Sequence, residues 1–182
     1  MNLKFEIVKS EKTYQGRAFS IEKVHMRLPD HSVRPYDLVR HNDSVTIVPV
    51  DDQGNILFVR QYRIGAGDTL LELPAGVNED GEPSLASAER EVREETGMGA
   101  KNLTWLGEYY LAPGYCNECM TAYLATGLFA DRLEHDVDEF LEVVKIPIEQ
   151  AYELAYQGKI RDSKSLAALL LARQYLIEDT TH

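Results

Sequence analysis

The stretch from Leu70 to Met98, LLELPAGVNEDGEPSLASAEREVREETGM, limits what this chain can fold into more than any other segment. Apolar residues run from Leu70 to Leu73 and stop at Pro74-Ala75-Gly76, the pattern of a buried strand entering a loop. Glu82-Pro83-Ser84 then supplies a helix start and Gly97 a helix stop. Between them Leu85, Ala88, Val92 and Thr96 recur at helical spacing, so a helix packing inward along that stripe is expected. Another face carries the charge. At about 3.6 residues per turn, Glu91, Glu94 and Glu95 share a side of the helix. Like charges so placed cost about 0.2–0.5 kcal/mol per pair in water, a penalty that a divalent cation preferring hard oxygen ligands reverses. A metal site is therefore the expected use of this helix, with a solvated acidic face as the alternative.

The chain of 182 residues is long enough for one domain with a sizeable core. Hydrophobic residues at 44% and charged ones at 27% exclude a disordered or fibrous class. No apolar run is long enough to span a bilayer, and the opening MNLKFEIVKSEK lacks the apolar stretch of a secretory leader, so a cytoplasmic protein is expected. A net charge of −11 opposes binding to nucleic acid or anionic lipid. It leaves room for one small phosphorylated ligand, because the local field of a site decides rather than total charge. Cys116 and Cys119 form a CNEC pair with no second pair and no histidine at zinc-site spacing, so neither a redox nor a zinc role is expected.

Elsewhere, residues 3–28 read as an N-terminal antiparallel β element. SVTIVPVDDQGNILFVRQYR holds two apolar runs around Asp51-Asp52-Gln53-Gly54, a hairpin pattern with strands near 45–50 and 55–62. Further strands are expected in 102–113, 119–128 and 140–146, the last preceded by an acidic loop from Asp131 to Glu139. A helix over 148–157 ends at Gly158. A last one begins at Asp162 or Ser163, with Leu166, Leu169, Leu170 and Leu176 as its core-facing stripe. Strands interleaved with three helices predict a mixed sheet covered on both faces.

Gly76, five residues, Glu82, seven residues and then Arg90-Glu91-Val92-Arg93-Glu94-Glu95-Thr96-Gly97-Met98 resembles the signature box of the Nudix hydrolases at every position. Arg60-Gln61-Tyr62-Arg63, Glu72-Leu73-Pro74-Ala75-Gly76, and Ala112-Pro113-Gly114 followed by Glu118 resemble the ADP-ribose and nucleoside diphosphate sugar pyrophosphatase branch, in which serine often stands where this chain has Ala112. The resemblance implies an α/β/α sandwich with a mixed β-sheet over residues 41–182, preceded by the N-terminal antiparallel β element at 1–40. It implies hydrolysis of ADP-ribose to AMP and ribose 5-phosphate, with another nucleoside diphosphate sugar such as GDP-mannose, or non-catalytic ADP-ribose binding, as alternatives. Magnesium is the implied cofactor, replaceable by manganese. Glu91 and Glu95 are the implied principal ligands, Glu94 an additional one, and the Ala75 carbonyl a further donor. Arg90 would fork to a carboxylate, Glu82 foremost. A general base is expected in the acidic loop, Glu139 foremost as base or additional metal ligand, with Asp138 and Glu142 as alternatives. Arg60 and Arg63 suit phosphate oxygens through paired guanidinium contacts. Glu72, Pro113 and Glu118 are implied substrate contacts, and Arg34, Tyr36 and Arg40 are candidates for the nucleotide, Tyr36 as a stacking face. Branch members are usually homodimers, so residues 1–40 are expected to complete a neighbour's site.

Overall fold

The computed structural model describes residues 3–133 and 140–177, in two compact units: Met1–Asp43 with Tyr110–Cys119, and Ser44–Tyr109 with Met120–His182.

In the smaller unit, β1 (Glu6–Gln15), β2 (Ser20–Arg27) and β3 (Val33–Arg40) form an antiparallel sheet in that order. Glu6 stands opposite Arg27 and Ser20 opposite Arg40. The third strand was absent from the sequence-based expectation because Val33-Arg34-Pro35-Tyr36 shows no alternation and contains a proline. Proline is tolerated here because β3 is an outer strand of this sheet. The segment Tyr110–Cys119 belongs to the same unit. The Val39 N–H donates to the Tyr115 carbonyl at 2.8 Å and the Asn117 N–H to the Val39 carbonyl at 3.2 Å. Asn117 also brackets His41, accepting from its N–H at 2.9 Å and donating to its carbonyl at 3.1 Å.

The larger unit contains β4 (Ser44–Pro49), β5 (Asn55–Arg63), β6 (Asp68–Glu72), β7 (Ala75–Val77), α1 (Ser84–Thr96), β8 (Met98–Tyr110), β9 (Cys119–Ala130), β10 (Glu142–Pro147), α2 (Ile148–Tyr156) and α3 (Ser163–Leu176). A mixed sheet runs β7-β4-β9-β8, with β4 parallel to β9 and antiparallel to β7. An antiparallel sheet runs β10-β5-β6. β4 and β5 lie close to where the sequence puts them, yet they do not form the expected hairpin. They share a single bridge, Val50 to Ile56, and then join different sheets. All of β4 and residues 56–59 of β5 are buried, so neither strand has a solvent face to be shared across a two-stranded ribbon. β7 occupies what reads in the sequence as a loop.

Alternate residues of the mixed sheet serve two cores. Val45 and Ile47 of β4 and Tyr123 and Ala125 of β9 pack with Ala88 and Val92 of α1. Val48, Ala122 and Leu124 face the second cluster with Phe58, Ile56, Leu73, Tyr152, Ala168, Leu169 and Ala172, which brings in α2 and α3. Each fully buried large side chain there contributes about 1.5–3 kcal/mol, and helices cover both faces.

Two helical faces differ from expectation. Leu85 is exposed, and α1 turns Ser87, Ala88, Glu91, Val92 and Glu95 inward, so two of the carboxylates lie on its buried side. In α3, Leu166 and Leu170 are exposed while Ser165, Ala168, Leu169 and Ala172 face in. The N-cap Asp162 sets that rotation by accepting from the Ser165 N–H and hydroxyl, which turns Ser165 inward. None of the described helices is long and apolar enough to cross a membrane.

Candidate active site

The acidic helix is fixed at both ends by backbone geometry. Pro83 at the N-cap has φ −64° and ψ 140°, and Gly97 at the C-cap is left-handed with φ 72°, its N–H bonded to the Arg93 carbonyl. Between these caps Glu91 and Glu95 are buried, with 7% and 2% of their surface exposed. Buried carboxylates require partners. Glu95 Oε2 accepts from the Ala75 N–H at 3.0 Å, which ties the helix to β7. Glu91 lies against Gly76, where a Cβ would fall 1.9 Å from Oε1 and 2.0 Å from Cδ. Glycine is needed here for close approach, since Gly76 has no positive φ.

Arg90 organises the rest of the cluster. Its Nε donates to Glu82 Oε1 at 3.1 Å and Nη2 to Glu82 Oε2 at 3.0 Å, a paired fork. Nη1 reaches Glu91 Oε1 at 2.5 Å and Glu94 Oε2 at 2.9 Å, while Nη2 also reaches the Val77 carbonyl at 3.1 Å and Ser87 Oγ at 3.3 Å. The Glu79 N–H donates to Glu82 Oε2 at 2.9 Å, so the loop between β7 and α1 is laced to the helix. The bond to Glu82 and the charges of Glu91 and Glu94 raise the Arg90 pKa above its ordinary value, and Arg90 holds Glu82 below the carboxylate range.

Among the described residues no three His, Cys, Asp or Glu side chains converge at metal-ligand spacing, and the Arg90 guanidinium carries the countercharge for Glu91 and Glu94. The donor set still fits a hard divalent cation. It offers hard carboxylate oxygens from one helix, with Glu91 and Glu95 buried and Glu91 seated in a gap that only glycine leaves.

Beside this cluster lies a second network. Arg63 forks to Glu72, with Nε at 3.0 and 3.1 Å from its two oxygens and Nη2 at 2.7 Å. Lys164 also contacts Glu72 Oε2, the oxygen that Arg63 Nη2 reaches, and lies 2.8 Å from Asp162. Burial alone would raise the Glu72 pKa, but Arg63 and Lys164 outweigh it and hold the carboxyl below its usual range. For Arg63 burial would lower the pKa, and Glu72, then Glu95 and Asp162, push it up instead. Glu72 is thus a buried ion-pair hub. Nothing in the sequence signals Lys164 or Ser165 as its surroundings, since they come from 92 residues away in each contact.

Arg60 pairs with Glu142 at 3.2 Å across β5 and β10, and both are largely exposed. Glu139 and Asp138 lie outside the described residues. Within the smaller unit, Arg34 and Tyr36 are exposed on β3 and Arg40 bonds Glu22 at 3.0 Å. Pro113 sits in a turn closed by the Tyr115 and Cys116 N–H groups on the Ala112 carbonyl, and Glu118 lies 3.7 Å from His41.

The sequence matches the NUDIX domain over residues 40–169. The ADP-ribose pyrophosphatase of Mycobacterium tuberculosis (strain ATCC 25618 / H37Rv) is 37% identical over 169 residues, covering 91% of this chain and 82% of that protein. The ADP-ribose pyrophosphatase of Bacillus subtilis (strain 168) is 32% identical over 177 residues, covering 96% and 94%. A crystal structure of an ADP compounds hydrolase matches with a TM-score of 0.86 at 30% identity, covering 95% of this chain and 94% of that one. With Gly76 beneath Glu91, Glu82 in the fork of Arg90 and that match over residues 40–169, the chain belongs to the NUDIX family, with its α/β/α sandwich.

Proposed function

We propose that the protein hydrolyses the diphosphate linkage of ADP-ribose to AMP and ribose 5-phosphate with magnesium, or manganese in its place. The observation that carries this reading is the pair of buried carboxylates, Glu95 bonded to the Ala75 N–H and Glu91 seated against Gly76, in a chain similar along most of its length to ADP-ribose pyrophosphatases. Glu91, Glu95 and Glu94 would hold the cation with the Ala75 carbonyl. When bound, the cation neutralises charge developing on the phosphate oxygens and lowers the pKa of a water. Arg90 positions Glu91 and Glu94, and Glu139 takes the water's proton or joins the ligands. Arg60 exchanges its exposed partner Glu142 for phosphate, an exchange that sacrifices an ion pair worth less than about 1 kcal/mol. Arg63, clamped by Glu72, contributes a fixed positive charge.

The same reading gives Pro113 and Glu118 to the substrate and Arg34, Tyr36 and Arg40 to the nucleotide, with residues 1–40 completing the site of a second copy in a homodimer. Exposure of β1 along its whole length, with Phe5, Ile7 and Val8 uncovered, supports that assembly. Two cysteines without a disulfide support a reducing, cytoplasmic setting.

A substrate panel of ADP-ribose, GDP-mannose, UDP-glucose and NADH, read by release of phosphomonoester, tests the proposal. ADP-ribose is expected to give the highest kcat/KM, with AMP as product and activity abolished by chelator. An inert ADP-ribose beside turnover of GDP-mannose overturns the substrate, and binding without turnover of any compound overturns catalysis.

A further inference from the structure

The stretch Leu73–Ala75 is suspended from three anchors in the larger unit. The Leu73 N–H donates to Ser165 Oγ at 2.7 Å. The Pro74 carbonyl accepts from the Ile47 N–H at 2.9 Å and from Thr46 Oγ1 at 3.2 Å. The Ala75 N–H donates to Glu95 Oε2 at 3.0 Å. Pro74 locks its own φ between the first and last of these, so a displacement at Leu73 reaches Ala75 with little slack.

Ser165 is itself held in place. Its hydroxyl donates to Asp162 Oδ2 at 2.5 Å, its N–H donates to the same oxygen at 3.0 Å, and Lys164 Nζ reaches that oxygen at 2.8 Å. The serine's lone pairs are thereby turned toward the Leu73 N–H. Ser165 and Leu73 are fully buried, and Glu72 beside them is 1% exposed, so bulk solvent cannot take over the bond. Tyr109 closes the surround by donating from its hydroxyl to the Lys164 carbonyl at 2.8 Å. A strand end, a helix start and a helix face that are far apart in sequence thus meet on one short segment, and the last link in that segment is a proposed metal ligand.

We propose that Ser165, oriented by Asp162, is a positioning residue for the hydrolytic site. It fixes Leu73 and, through Pro74 and Ala75, sets the Glu95 carboxylate. This rests on the reading of Glu95 as a ligand of the catalytic cation.

The test uses the full-length protein with Ser165→Ala. Manganese binding without substrate is followed by electron paramagnetic resonance, amide exchange at Ala75 by NMR, and kcat and KM with ADP-ribose. Loss of an outer partner of a ligating carboxylate should raise the manganese Kd about 10-fold and lower kcat about 10- to 100-fold, with KM within about 2-fold of wild type. Ala75 exchange should speed up even without metal. Ile160→Val, in the buried core, serves as a control that lowers Tm while leaving manganese affinity and Ala75 exchange unchanged. Should Ser165→Ala not fold, Ser165→Cys, of similar volume but a weaker acceptor, must show the same changes in smaller degree. Wild-type manganese affinity and Ala75 protection in the serine variants overturn the proposal. A wild-type enzyme inert toward every nucleoside diphosphate sugar overturns the functional reading instead, and the metal and exchange data still decide the role of Ser165.

Discussion

Gly76→Ala is the sharpest perturbation this site offers, because the collision it creates is confined to one functional atom group. The added Cβ would lie 1.9 Å from Glu91 Oε1, 2.0 Å from Cδ and 2.4 Å from Oε2. Ordinary contact needs about 3.4 Å or more, so the carboxylate must withdraw by more than about 1 Å. Glu91 is the flexible end of a side chain, and an off-rotamer adjustment costs about 0.5–1.5 kcal/mol. Gly76 has no positive φ, so alanine adds no backbone strain, and its smaller unfolded-state entropy offsets about 0.4–1 kcal/mol of that cost. The two leave a net destabilisation of at most about 1 kcal/mol, so Tm should fall by no more than about 2–4 °C for a chain of this length. A ligand displaced by about 1 Å should cost about 100-fold in kcat, or about 2.7 kcal/mol of transition-state stabilisation. Steady-state kinetics over a magnesium titration, with a thermal melt on the same preparation, reads both quantities. Gly65→Ala, with open space around its Cβ position and no positive φ, should match wild type in kcat and melt no lower than wild type. A Gly76→Ala enzyme within 3-fold of wild-type kcat, or one that no longer folds, would refute the reasoning.

Arg90→Lys keeps the charge but cannot fork to Glu82 while bridging Glu91 and Glu94, so stability should fall by about 1–3 kcal/mol with a matching loss of kcat. Wild-type denaturant midpoint and kcat would contradict the role given to that fork. Glu72→Gln removes the countercharge from Lys164 and Arg63 in a buried setting and should cost about 3–5 kcal/mol by urea unfolding. A loss under 1 kcal/mol would show that the pair is not a structural hub. Asp51 stands in the turn after β4. Burial would raise its pKa, but the N–H groups of Asn55 and Gln53, the Asn55 amide and Lys145 lower it to about 2. With the folded value below the unfolded one, its contribution is present above pH ~4 and lost as pH falls toward 2. Asp51→Asn should therefore cost about 1–2 kcal/mol at pH 7, after discount for solvent screening, and progressively less below pH 4. A deficit that stays constant with pH would exclude the carboxylate charge as its source.

The parts of the fold that the sequence discloses are those whose causes are local. Helix α1 runs from Ser84 to Thr96 because Pro83 and Gly97 bound it, and both signals sit within the helix's own ends. The Gly158 turn and the Asp162 cap are of the same kind. Strand existence was also legible, from β-branched and apolar runs. Strand partnership was not. β4 and β5 are joined by a five-residue connection and look like a ribbon, yet burial of both strands erases the alternation that would have told a hairpin from two layers of a sandwich. Of the four leucines that suggest a stripe in α3, Leu169 and Leu176 pack in the core while Leu166 and Leu170 are exposed, and the small residues Ser165, Ala168 and Ala172 take the rest of the inward face. The ion-pair hub at Glu72 was illegible for a simpler reason. A glutamate in one segment and a lysine 92 residues on have no shared pattern until the backbone brings them together.

The candidate site was more legible than the sheets, and its intervals explain why. Gly76 and Glu82 precede α1 by a short loop, and the chain folds back so that Gly76 lies under Glu91 while Glu82 meets Arg90. Those two contacts span fifteen and eight residues and act on successive positions of one helix turn. Inserting a residue in the loop would leave every local propensity intact, yet it would misplace either the glycine gap or the guanidinium fork. The fixed spacing in the sequence is thus the imprint of a closed loop in space. Glu95 completes it through the Ala75 N–H, one residue before the glycine, so the same turn that clears room for one carboxylate hydrogen-bonds the other.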